Sequence, residues 1–334
     1  MTVGIAFTPF EDRLEVIERA AVQAEELGFD SIGIAEAMTL DASIVIARLA
    51  GLTSRIGLVS GVLSVWGRTP ATLALTASEL QRASGGRFVL GLGAGTPQLA
   101  EGFHGQRWHA PVRKLRETVV AVRALLNGER LPDGPEGARP LRLGCPPSNP
   151  VPIALAALTP PSIRLAGMLA DQWVPFLLPP KALDDGRDLM AAAAAAVDRR
   201  DGARVVASVP LALAPTRDEA GRIAARWLVT YATRMGPVYP RVLREHGYGR
   251  ELDALLDAER DSLRAGLPAA AERLASDVLL YGTYDEAPAL GKAWLDHADA
   301  LTAVAPFGMP AEHVTESLDA LSAGWHSRVS AALP

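Results

Sequence analysis

The sequence predicts a (β/α)8 TIM-type barrel with a helical insertion between its seventh and eighth strands. Three observations point there. Short β-type runs alternate with helical runs through the first ninety or so residues and resume later in the chain. The strand runs are continuously apolar, as strands covered on both faces are. Each return to a strand passes through a helix, the connection that parallel pairing needs. Together these exclude a sandwich and a helical bundle.

The elements follow in order. Residues 3–7 read as the first strand, and 14–27 as a helix with Leu14, Ile17, Ala21, Ala24 and Leu27 on one face. Gly28 stops that helix, where a left-handed residue costs glycine least. Strand two is 31–35, a helix spans 41–51, strand three is 56–65, and a third helix over 71–84 ends at Gly85 and Gly86. Strand four, 87–92, runs into the Gly91-Leu92-Gly93-Ala94-Gly95 segment. A helix at 111–126 and a Gly/Pro-rich connection at 127–149 lead to strand five at 151–156, a helix at 162–169 and strand six at 172–176. Strand seven, 205–213, is longer. Strand patterns then vanish for about 85 residues while 218–235, 239–245, 251–265 and 269–280 read as helices. Thr283 and Glu286 have the spacing of a capping box that starts another helix. Residues 301–305 supply strand eight and 311–321 the closing helix. The expectation is a single domain over 1–334, with 218–280 as an insertion that covers the substrate.

Composition narrows the function. Of 334 residues 49% are hydrophobic, so a large core is available. A formal charge of −5 lacks the basic field that nucleic acid or an anionic membrane requires, which leaves a small-molecule substrate. No apolar run reaches the roughly 20 residues of a membrane-spanning helix. Residues 1–7 carry no basic segment of the kind that opens a signal peptide. Cys145 is alone, so neither a disulfide framework nor a cysteine metal site is expected, and it reads as a small buried apolar residue in a reducing, cytoplasmic setting. The six histidines form no metal-ligand spacing, so no metal is expected.

In such barrels the working groups sit at the C-terminal ends of the strands. Here those ends are Phe7, Glu36, Ser60-Gly61-Val62, Gly93-Ala94-Gly95-Thr96, Leu158-Thr159, Phe176, Leu213 and Phe307, a mostly apolar or small set that suits a flat organic ring. The glycines after strand four lack the helix and distal acid of a dinucleotide fingerprint. They read as bare backbone approaching a planar ligand or its phosphate, or as a flexible turn. Thr159-Pro160-Pro161-Ser162 starts a helix, with Thr159 as cap and Pro160 in the first turn, and its free amides suit an anion as well as an ordinary cap. Glu36 is either an acid/base or the partner of an arginine such as Arg68. His104 and His109 lie just past strand four, and either one meets a substrate or stands in a surface loop. Trp66, Trp108, Trp173 and Phe307 fall at or beyond strand ends, where they suit a ring-binding pocket.

Several segments together resemble the bacterial luciferase-like superfamily, most closely its coenzyme F420-dependent oxidoreductase branch. They are Glu25-Glu26-Leu27-Gly28-Phe29-Asp30-Ser31 leading to Glu36, Thr53-Ser54-Arg55-Ile56-Gly57-Leu58, Pro70, and Gly86-Arg87-Phe88-Val89-Leu90-Gly91-Leu92-Gly93-Ala94-Gly95. The likeness continues through Arg113, Arg164-Leu165-Ala166-Gly167 and Tyr281-Gly282-Thr283. It implies a barrel, commonly a homodimer, that binds a deazaflavin (F420) or FMN across the strand ends. The implied cofactor contacts are Phe7, Glu36, Ser60, Gly61, Val62, Gly93, Ala94, Gly95, Thr96, Leu158 and Thr159. A cis peptide in strand three would fall at Gly61-Val62. Ala37 stands where many relatives have histidine, and Thr96 where the sugar-phosphate dehydrogenases have glutamate. Alcohol oxidation, which needs a group to take the hydroxyl proton, is weakened accordingly. Hydride transfer from the reduced deazaflavin to a C=C or C=N bond, with Thr96, His104 or Glu36 as proton donor, is the leading expectation. An FMNH2-dependent monooxygenase and a ligand-binding paralogue without turnover are the alternatives.

Overall fold

A computed structural model describes residues 2–131, 139–258 and 266–326. Parts of the predicted connection (132–138) and of the predicted helix over 251–265 (259–265) lie outside the described residues. So do residues 327–334 of the predicted domain.

The strands are β1 (Thr2–Phe7), β2 (Ser31–Ile34), β3 (Gly57–Ser60), β4 (Leu63–Ser64), β5 (Phe88–Gly93), β6 (Ile153–Ala156), β7 (Gln172–Val174), β8 (Arg204–Ala214), β9 (Leu280–Thr283) and β10 (Ala300–Ala305). All pairings are parallel. The order runs from β10 through β1, β2, β3, β5, β6 and β7 to β8, and β8 pairs back onto β10, closing an eight-stranded barrel. Ile5, Ile32, Leu58, Leu90, Ile153, Trp173, Val205 and Leu301, one from each barrel strand, are at most 1% exposed. Such strands must be apolar on both faces, which is why they read as continuous runs.

Helices α1 (Leu14–Glu26), α2 (Ala42–Leu52), α3 (Pro70–Ala83), α4 (Pro111–Leu126), α5 (Pro160–Leu169) and α6 (Pro180–Ala195) alternate with the strands. Their starts are chemically marked. The Asp41 carboxylate accepts the amides of Ser43 and Ile44, and the Thr69 hydroxyl accepts that of Thr72 one residue before Pro70. The insertion holds α7 (Arg217–Arg234), α8 (Val238–Glu245), α9 (Gly249–Asp257) and α10 (Glu272–Val278). Two short helices, α11 (Ala287–Leu290) and α12 (Lys292–Leu295), and the closing α13 (Ala311–His326) complete the described chain.

Three expectations change. The strand-free stretch is interrupted by β9, because β8 runs on past the rim. Its first half pairs with β10, and Leu211 to Ala214 pair with Leu280 to Thr283. Thr283 therefore ends a strand, although its amide does bond the Glu286 carboxylate at 2.7 Å, half of the anticipated box. Cys145 is exposed: the connection it belongs to crosses the surface and is tied by its backbone carbonyl to the Ser78 hydroxyl at 3.0 Å. The insertion has a core of its own, with Trp227, Leu228 and Tyr231 of α7, Leu243, Leu255 and Leu274 packed on Ala212, Ala214 and Tyr281. Among the described residues no helix is long and apolar enough to cross a membrane.

At the N-terminal end of the barrel, Glu25 ties α1 to the start of β3. Its carboxylate accepts the amides of Ser54, Arg55 and Ile56 at 3.0, 2.6 and 2.8 Å. Burial alone would raise its pKa, but these donors lower it from 4.5 to about 2. A carboxyl depressed by folding stabilises the protein above its unfolded pKa, and the gain is lost as the pH falls from 4.5 towards 2. Glu25→Gln is expected to cost about 1 kcal/mol at pH 7, a figure discounted for solvent screening, and to flatten the acid limb of stability in that window. Urea unfolding between pH 2 and 7 measures it, and an unchanged acid limb would refute the assignment.

Candidate functional site

A cavity of about 880 Å³ opens at the C-terminal ends of the strands. Its floor is set by a bulge. Val59 pairs with Val89 and Leu63 with Leu92, so the third barrel strand uses one residue more than its neighbour over the same span. The extra length falls at Ser60-Gly61-Val62, and the Gly61–Val62 peptide is cis. Ser60 is fully buried: its hydroxyl accepts the Gly91 amide at 2.8 Å and donates to the Gly91 carbonyl at 3.1 Å, completing the ladder where the backbone cannot. A Cβ on Gly91 would lie 1.8 Å from the Ser60 carbonyl oxygen, and one on Gly93 would lie 2.6 Å from a Val62 methyl. Both glycines allow the close approach of the bulge, and Gly93 lines the cavity as well. Ser60, expected on the cofactor, does not line the cavity; Gly61 and Val62 do.

The rest of the floor and one wall come from Phe7, Glu36, Gly93, Ala94, Gly95, Thr96, Leu158 and Thr159, all of which line the cavity. Gly95 has φ +68° and turns the chain out of β5. Thr96 then starts a single π-helical turn, Gln98–Phe103, with its hydroxyl oxygen accepting the Leu99 amide at 3.3 Å. Across the cavity Thr159 and Ser162 fasten the start of α5. The Thr159 amide donates to the Ser162 hydroxyl at 3.1 Å, and the two hydroxyls lie 2.8 Å apart.

Glu36 accepts hydrogen bonds from both terminal guanidinium nitrogens of Arg68 and from the Ala42 amide at 3.0 Å. Arg68 also reaches Asp41 at 2.9 Å. The carboxylate is thus the partner of an arginine, and its oxygens are spent on positioning the loop after β2. His104 does not line the cavity. It stands against Gly67, where a Cβ would lie 2.7 Å from the imidazole. Burial, opposed by Glu36 and reinforced by Arg68, lowers its pKa below the usual histidine value and favours the neutral ring. His109 is exposed.

Of the four expected pocket aromatics only Trp108 lines the cavity. Trp66 stands behind it, ring centroids 5.4 Å apart, with its indole donating to the Ala94 carbonyl at 2.7 Å. Trp173 is fully buried against Gly186 and donates to the Ala157 carbonyl at 2.8 Å. Both tryptophans hold the cavity's backbone from outside it. Phe307 backs Phe10 at 5.1 Å. The aromatic wall is instead Phe10, Phe176, Tyr231 and Tyr239. Phe176 closes a strand end and was legible there, whereas the two tyrosines come from the insertion, whose sequence carries no motif. Leu177, buried at φ +58°, turns the chain immediately after Phe176, a conformation that costs an ordinary residue about 1 kcal/mol. The insertion also brings Arg234 and Arg241 to the cavity lining. Among the described residues no three His, Cys, Asp or Glu side chains gather as metal ligands do.

Residues 1–290 match the family described as luciferase-like monooxygenase. The chain is 29% identical over 292 residues to a Mycobacterium tuberculosis (strain H37Rv) protein provisionally named a coenzyme F420-dependent oxidoreductase, covering 78% of this chain and 82% of that one. It is 31% identical over 274 residues to 5,10-methylenetetrahydromethanopterin reductase of Archaeoglobus fulgidus, covering 80% of each. Among solved structures, the oxygenating constituent of 3,6-diketocamphane monooxygenase from Pseudomonas putida, in complex with FMN, superposes with a TM-score of 0.72. It shares 23% identity over 96% of this chain and 97% of that one, a likeness of fold.

Proposed function

Because the chain belongs to the luciferase-like monooxygenase family, we propose that it is an oxidoreductase that holds coenzyme F420 in the strand-end cavity and reduces a C=C or C=N bond of a small organic molecule. The observation that carries this reading is the cavity's chemistry. Gly61 and Val62 offer a flat apolar floor, backbone from Gly93 to Thr96 forms one edge, and Thr159 and Ser162 at the start of α5 add hydroxyls to the lining; the anion site expected of free amides there does not form, because Pro160 and Pro161 have none and those of Thr159 and Ser162 are spent in the capping box. The Mycobacterium tuberculosis relative, named for coenzyme F420, supports the deazaflavin. When bound, the reduced ring supplies a hydride.

The residues present favour reduction over alcohol oxidation. Oxidation needs a base for the hydroxyl proton, and Glu36, the carboxylate facing the cavity, is occupied by Arg68. Thr96 keeps its hydroxyl hydrogen free to donate while its oxygen caps the π-turn, so it is the proposed proton donor. Glu36 acts through Arg68 as a positioning residue, and His104 shapes the rim from behind Gly67. The insertion covers the cavity as a lid. A cytoplasmic homodimer belongs to the same proposal.

A second reading, an FMNH2-dependent monooxygenase, is favoured by the fold it shares with the FMN-bound enzyme and by the largely apolar lining of the cavity. Fluorescence titration of the purified protein with each cofactor separates them. Micromolar or tighter binding of F420, with FMN about tenfold weaker or worse, is expected. Tight FMN binding without detectable F420 binding would establish the second reading instead.

A further inference from the structure

The cavity has two chemically different halves. Beside the glycine-rich edge stand Phe176, Tyr231 and Tyr239, with ring centroids 4.8 Å apart from Phe176 to Tyr231 and 5.0 Å apart, nearly perpendicular, between the tyrosines; the chain between the tyrosines meets that edge at Gly236, where a Cβ would lie 3.3 Å from the Thr96 methyl. Burial raises both phenols well above the usual tyrosine range, so they remain neutral donors. Among the described residues neither hydroxyl has a hydrogen-bond partner, and both side chains line the cavity. One turn beyond Tyr231, on the same face of α7, Arg234 is exposed, lines the cavity and has no acidic partner among the described residues. Arg241, the other cation on this rim, has Glu245 at 3.8 Å.

We infer that this half takes the substrate, and that the substrate is a flat conjugated organic anion: its ring packs among Phe176, Tyr231 and Tyr239, and its carboxylate meets Arg234. A guanidinium without a carboxylate partner matches a carboxylate in charge and geometry, and unpartnered phenols supply donors to an acceptor on the ring. The inference rests on the proposed function in giving the glycine-rich half to the cofactor.

The probes are trans-cinnamate and its neutral amide, cinnamamide, titrated calorimetrically into the protein with no cofactor added. Cinnamate is expected to bind about tenfold more tightly than the amide. Arg234→Gln brings the two within about twofold and leaves F420 affinity unchanged, and Arg234→Lys, which keeps the charge but not the planar fork, keeps only part of the preference. Equal binding of the two probes to the unmodified protein, or no binding of either at millimolar concentration, overturns the inference. So does an Arg234→Gln protein that keeps the preference but loses cofactor affinity, because Arg234 would then belong to the cofactor. Failure of the unmodified protein to bind F420 would instead count against the proposed function, since the probe titration needs no cofactor.

Discussion

Replacing Gly61 by leucine is expected to abolish cofactor binding and leave the barrel folded. Gly61 lies on the open side of the bulge, and a Cβ there would find only the Ile34 carbonyl oxygen, at 4.0 Å. Its φ is not among the left-handed values, so an L side chain is tolerated. The added Cβ therefore displaces nothing of the protein, and the rest of the side chain is expected to enter the space proposed for the ring. A dissociation constant raised by about a hundredfold or more is the expected result, with a melting temperature within about 2 °C of the parent. Affinity retained within a few-fold would remove the ring from this floor, and a collapsed melting temperature would show that the glycine serves the fold.

Gly91→Ala is expected to do the opposite. There a Cβ would stand 1.8 Å from a backbone carbonyl oxygen in a fully buried strand, so either β5 moves or the bulge does. Overpacking against backbone at such a point costs about 3 kcal/mol or more, which lowers the melting temperature by about 5 °C or more. Parent-like melting of the alanine protein would mean that the bulge yields. The two glycines lie on neighbouring strands of the same floor, yet one is required by the space outside the protein and the other by the carbonyl beside it.

That contrast shows how far the sequence could be read. Apolar runs located every barrel strand, because burial on both faces leaves a signal in each strand alone. The short β9 left none: its pairing depends on how far β8 overshoots the rim, which is a property of two distant segments. Much of the motif that identified the family proves to be scaffolding. Glu25 caps the amides before β3, and Arg87 donates to the carbonyls of Ala50, Thr53, Ser84 and Ile56 at the end of the barrel away from the cavity. Position along the chain predicted the floor and the glycine edge, since strand ends are sequence-local. It placed Ser60, Trp66, Trp173 and Phe307 at a cavity they do not line, because whether a side chain at a strand end points into the cavity or behind it depends on a one-residue bulge and on indole hydrogen bonds to carbonyls across the barrel. The aromatic wall was hidden for a related reason: Tyr231 and Tyr239 reach the cavity only through the packing of the insertion.

The arrangement of tryptophans makes the molecule its own optical probe. Trp108 and Trp66 sit as a partly exposed pair at the cavity's edge, while Trp173 and Trp227 are sealed from solvent. Indole emission from the edge is redder than emission from the interior, and a yellow ring placed beside Trp108 absorbs where indole emits. Occupancy should therefore extinguish the red component first and leave a residual spectrum shifted to the blue. A ligand that merely quenches from solution would dim the exposed pair only in proportion to its concentration, without saturating, so the spectrum's shape as well as its intensity reports whether a molecule has entered.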